Sequence, residues 1–166
     1  MNHYFHITSW RKSGKKPPKG FIKINFDATV GENRIGYGTV VRDKEGFVLG
    51  GGEGFEEGRL SVEEAECVAF EESINVARRL NLKEHVLFEI DHVGLVNRLN
   101  HLVNDVTIVG IRIKECAAAF NFFKSTSLIW IERSCNKVAH LICKKCIVRP
   151  TTVCLKWIIR RKSMML

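Results

Sequence analysis

The sequence has no apolar run of the roughly 20 residues that a membrane-spanning helix needs. Its most apolar late stretch, residues 153–159, is short and is broken by Lys156. Residues 1–10 mix histidine, asparagine and aromatics without an apolar core, so a secretory leader is not expected and the protein is read as intracellular, nuclear or cytoplasmic. The six cysteines, at 67, 116, 135, 143, 146 and 154, do not fall at the spacings of a small secreted disulfide scaffold and read as reduced, mostly buried thiols. The glycines at 50–54 are not followed by Gly-Lys-Ser/Thr, which excludes a phosphate loop of the usual kind. No Ser/His/Asp or Cys/His set has the context of a nucleophilic triad. Cys143-x-x-Cys146, with Cys135 and His140 nearby, matches no common zinc finger and reads first as a helix with thiols one turn apart.

What is present points elsewhere. The chain has 166 residues, one domain's worth, and at 45% hydrophobic it has material for a core. The formal net charge of +8 and pI near 9.3 favour a polyanionic partner such as nucleic acid or an anionic membrane. Residues 1–20 read as a basic, linker-like segment, because Arg11, Lys12, Lys15, Lys16 and Lys19 are interleaved with Gly14, Pro17, Pro18 and Gly20. Residues 21–149 read as the folded domain. Residues 150–166 are a basic tail whose apolar residues follow no clear pattern.

Within the domain, Ile22, Ile24 and Phe26 alternate with Lys23, Asn25 and Asp27, the period of a strand. Residues 35–42 and 47–53 are the next two strands, joined by an Asp43-Lys44-Glu45-Gly46 turn. Ser61 with Glu64 forms a capping box, and Val62, Ala65, Ala69, Ser73, Val76 and Leu80 recur at helical spacing behind it. The almost wholly apolar residues 86–90 suit a strand buried on both faces. Helices are expected just after Asp91 through Leu99, over 106–123, and from Asn136 to just before Pro150, with a last strand at 128–131. The order is βββαβααβα.

Three acids are misplaced for surface residues. Asp27 and Asp91 close apolar strands, and Glu66 lies on the first helix's apolar stripe between Val62 and Ala69. Burying a lone carboxylate costs several kcal/mol unless it is paired or holds a metal. Clustered carboxylates repel one another, and a hard divalent cation, Mg2+ or Mn2+, relieves that repulsion. Two such ions about 4 Å apart can activate water for phosphodiester hydrolysis. The alternative is that each Asp caps a turn and Glu66 leans out to solvent.

The chain resembles the plant-type ribonuclease H domain, found alone and appended to retroelement reverse transcriptases. The resemblance rests on Trp10 with Pro17-Pro18 and Gly20, Lys23-Ile24-Asn25-Phe26-Asp27-Ala28, Gly36-Tyr37-Gly38-Thr39-Val40-Val41-Arg42-Asp43, Gly46, Ala65-Glu66, Glu89-Ile90-Asp91, and Arg133 and Asn136 ahead of Val138-Ala139. It implies an α/β fold, ribonuclease H-like, with a five-stranded mixed sheet (three antiparallel strands, then two parallel additions) flanked by helices. It also implies two-magnesium hydrolysis of the RNA strand of RNA–DNA hybrids. Asp27, Glu66 and Asp91 match the first three of the family's four catalytic acids. At the fourth stands His140, which brings no negative charge and suits manganese or zinc better than magnesium. The histidine that many members carry in the loop 133–136 is missing, as is the basic extension that grips hybrids in some members, since 97–105 holds only Arg98 and His101. Lys23, Arg133 and Asn136 are candidates for contact with nucleic acid. The expected function is thus a metal-dependent hybrid ribonuclease impaired by His140. The alternative is a catalytically degenerate nucleic-acid-binding module or a retroelement-derived remnant.

Overall fold

The computed structural model describes residues 19–156. The basic segment up to residue 18, with Trp10, Pro17 and Pro18, lies outside the described residues, as do residues 157–166 of the tail.

Strand β1 (Phe21–Val30) pairs antiparallel with β2 (Arg34–Arg42), which pairs antiparallel with β3 (Val48–Glu57). Helix α1 (Val62–Arg79) then returns the chain so that β4 (His85–Ile90) lies parallel to β1. Helices α2 (Val93–Asn100) and α3 (Ile108–Ala119) lead to β5 (Ser125–Trp130), parallel to β4, and α4 (Lys137–Val148) follows. The order β3-β2-β1-β4-β5 is the expected five-stranded mixed sheet. A sixth strand, β6 (Val153–Lys156), adds antiparallel to β3 and comes from the tail in which no pattern was visible. Four residues are too few for a period of two to stand out, and edge pairing on β3 is a tertiary event.

Local chemistry sets the helix boundaries. Ser61 accepts from Glu64 N, and Glu64 Oε2 accepts from Ser61 N, the two halves of the capping box. The helix expected over 106–123 is shorter, because Thr107 Oγ1 caps Gly110 N and Asp105 in turn accepts from Thr107. It also ends early, in a 3-10 turn at Phe120–Phe122 that delivers Phe120 and Phe123 to the core. Val62, expected on the buried stripe, is instead exposed at the first helical position.

Both faces of the sheet are covered. Ile24 and Phe26 meet α1, and the core is a nest of rings: Phe26–Phe70 5.3 Å, Phe70–Phe120 5.6 Å and Phe88–Phe123 5.8 Å between centroids. Alternation sends Asn25, Asp27 and Thr29 to the other face, under α4. There Gly36 lets the α4 backbone come close, for a Cβ on it would lie 2.2 Å from the Cys143 carbonyl oxygen.

Candidate metal centre

Asp27 sits mid-strand on β1, opposite Gly38 of β2, rather than at a strand end. Asp91 follows the last residue of the parallel neighbour β4, and Glu66 lies in the second turn of α1. The parallel β1–β4 pair, with Asn25 opposite Glu89, brings Asp27 level with Asp91 just past the end of β4, and the capping box fixes the rotation of α1 that points Glu66 toward them. One carboxylate oxygen from each of Asp27, Glu66 and Asp91 lies within 4.8 Å of the others. Asp27 and Glu66 are 2% and 3% exposed. Glu66 Oε2 and Asp91 Oδ2 are buried with no hydrogen-bond partner among the described residues.

Electrostatics follow from that crowding. Desolvation, then the charges of Asp27 and Asp91, push Glu66 from its ordinary 4.5 up to about 9. Asp91 is also raised, by burial first and then by Asp27, against the opposing pull of Arg133 and His140. Unpartnered buried oxygens among mutually repelling carboxylates fit a hard divalent cation, which supplies positive charge and accepts oxygen ligands.

His140, on the first turn of α4, donates from Nδ1 to Asp27 Oδ2 at 2.8 Å. Arg133, largely exposed, holds Nε 4.0 Å from Asp91 Oδ2. The other two residues offered as nucleic-acid contacts are turned inward. Lys23 is 8% exposed, with Nζ 3.7 Å from the buried Glu89 carboxylate. Asn136 is 1% exposed and donates to the Phe26 carbonyl at 2.9 Å, fastening the start of α4 to β1 beside Asp27. A strand lysine looks solvent-facing from alternation alone; the acid that draws it inward is 66 positions away.

Two neighbours of the site were not foreseen. Trp130 is 44% exposed and donates from Nε1 to the Asp91 carbonyl at 3.3 Å. Its place at the end of β5, parallel to the strand that leads to Asp91, was the available signal. Cys143 Sγ lies 3.7 Å from Asp27 Oδ2, and the His140-x-x-Cys143 spacing on a helix was its signal. Cys146 points away, with Sγ 3.8 Å from the Thr151 carbonyl, so the sequence's cysteine pair does not converge. No helix among the described residues is long and apolar enough to cross a membrane.

This α/β architecture is the ribonuclease H-like fold. The structure matches RNase H1 of the halophilic archaeon Halobacterium salinarum with a TM-score of 0.71, at 16% identity, over 78% of this chain and 98% of that one. LC11 RNase H1 from compost, solved with an RNA/DNA hybrid, matches at 0.67 and 16% identity over 75% and 94%. The N-terminal RNase H domain of a Mycobacterium tuberculosis protein matches at 0.65 and 18% identity over 78% and 95%. Residues 25–146 match the model of the reverse transcriptase-like family, and the chain belongs to that family. No curated protein matches the sequence.

Proposed function

We propose that this chain binds RNA–DNA hybrids and hydrolyses their RNA strand with divalent ions held by Asp27, Glu66 and Asp91. The convergence of three carboxylates, two with unpartnered buried oxygens, is the observation that carries the reading. Bound Mg2+ or Mn2+ would polarise the scissile phosphate and lower the pKa of the attacking water. The protein's own part is to hold Asp27 rigid between β2 and α4, to bring Glu66 in from α1, and to set Arg133 beside Asp91 at the exposed rim, facing an incoming phosphate. The fold and the net charge of +8 support a nucleic-acid partner, and the hybrid in the LC11 complex motivates the choice of duplex. Phosphate-dominated binding of this kind weakens steeply with salt and tolerates sequence change. Equal affinity at low and high salt in a filter-binding assay would count against it.

His140 decides how well the chemistry runs. At the fourth ligand position it replaces a carboxylate by an imidazole, which magnesium accepts poorly and manganese better. The expected result of a hybrid-cleavage assay is weak or no cleavage with Mg2+, partial rescue by Mn2+, and a gain on His140→Asp. Asp91→Asn should abolish what activity there is. The competing reading, a binding module with a crippled metal site, draws on the hydrogen bond that ties His140 to Asp27. Retained salt-sensitive binding, without cleavage under either ion or in His140→Asp, would establish it. Robust Mg2+-dependent cleavage indifferent to His140→Asp would overturn the role given to His140.

A further inference from the structure

His140 and Cys143 stand one helical turn apart on α4, on the side that faces β1. A ring nitrogen, the sulfur and an Asp27 oxygen all lie within 4.8 Å of one another. The sulfur is 3.7 Å and His140 Nδ1 is 2.8 Å from the same atom, Asp27 Oδ2. Around tetrahedral zinc, with Zn–S about 2.3 Å and Zn–N and Zn–O about 2.0 Å, the sulfur–oxygen separation is about 3.5 Å and the nitrogen–oxygen separation about 3.3 Å. The sulfur therefore already stands near zinc spacing, and the imidazole needs to withdraw by only about 0.5 Å. Thr29 Oγ1, 2.9 Å from the sulfur, is placed to donate to a bound thiolate, the outer support that metal ligands usually have.

We propose that Asp27, His140 and Cys143 form a binding site for a zinc-type divalent ion, with a fourth position left for water. A thiolate and an imidazole select zinc over magnesium, and three protein ligands plus water is a common zinc arrangement. On binding, the Cys143 thiol releases its proton to solvent, and the proton on the ligating ring nitrogen moves to the other one. The site shares Asp27 with the acid triad. Zinc held here draws that carboxylate away from the Mg2+ or Mn2+ ligand set and so opposes hydrolysis. Only this inhibitory consequence rests on the proposed function; the binding itself does not.

The test is a titration of the full chain, stripped of metal with a chelator, with Co2+ as a spectroscopic stand-in for zinc. One equivalent should give tetrahedral cobalt bands with a thiolate-to-cobalt charge-transfer band, displaced by Zn2+ and untouched by excess Mg2+. Cys143→Ser, almost isosteric, should lose the charge-transfer band. Cys135→Ser and Cys146→Ser should keep it. Should Cys143→Ser fail to fold by circular dichroism, His140→Gln, at a partly exposed position, should weaken cobalt binding instead. No charge-transfer band in the folded chain, or a band that survives both substitutions, overturns the site. Mn2+-dependent cleavage without a cobalt band refutes the zinc site and leaves the proposed function standing. A cobalt band without cleavage under any ion does the reverse.

Discussion

Glu66→Gln separates the cost of crowding from the rest of the fold. The Glu66 carboxyl is raised from 4.5 to about 9, chiefly by burial and then by Asp27 and Asp91. A group whose folded pKa is raised makes its full contribution to stability below its unfolded value. That contribution is lost as pH climbs toward the folded value. Without metal, folding above pH 4.5 therefore requires an ionised Glu66 to take up a proton, at about 1.4 kcal/mol per pH unit. At pH 7 this amounts to at most about 3 to 4 kcal/mol. Glutamine keeps the shape, can still donate to Asp27, and carries no such cost. In chelator, Tm of the wild type and of Glu66→Gln should nearly coincide at pH 4.5. The variant should then gain progressively to pH 7, by about 2–4 °C for each kcal/mol in a domain of this size. Mg2+ or Mn2+ should raise Tm of the wild type at pH 7 and leave the variant almost unmoved, because the ion supplies what the proton supplied. A Tm difference that stays flat between pH 4.5 and 7 would refute the argument, for it would mean that Glu66 ionises as freely in the fold as outside it.

Gly36→Ala should destabilise the domain by about 3 kcal/mol in urea titration, because the added Cβ meets the Cys143 carbonyl at 2.2 Å and α4 has to lift. Asn136→Ala should cost about 1–3 kcal/mol by the same measurement, since it leaves the buried Phe26 carbonyl without its 2.9 Å donor. A cost near zero for either would show that α4 docks less tightly than described.

The fold was legible where local signals agree with tertiary demand. The Ser61–Glu64 box, the alternation through β1 and the apolar run of β4 each carry their own evidence within a few residues. The meeting of Asp27, Glu66 and Asp91 could be anticipated because burial of an acid is anomalous on its own strand or helix. What escaped notice depends on partners distant in sequence. Lys23 turns inward for Glu89, Asn136 spends its amide on Phe26, and β6 exists because β3 offers an edge. In the sequence Cys143 shares a motif with Cys146, whereas the register of α4 on β1 gives it Asp27 and Thr29 instead.

That register ties the close approach of α4 to Gly36 to the chemistry of the site. Gly36 admits the α4 backbone at the level of Cys143, and Asn136 fastens the start of the same helix to β1. Between those two anchors lies His140, so its ring has little choice but to meet Asp27. An aspartate at 140 would be held there just as firmly, against an acid it repels, and a cation or an added proton would be needed to relieve that repulsion. A histidine in the same place satisfies Asp27 with no ion at all, through one 2.8 Å hydrogen bond. On the proposed reading of position 140, the histidine thus does more than leave out a carboxylate ligand. An ion bound through Asp27 has to lengthen or break that hydrogen bond, and one with affinity for nitrogen and sulfur recovers the imidazole as a ligand in doing so.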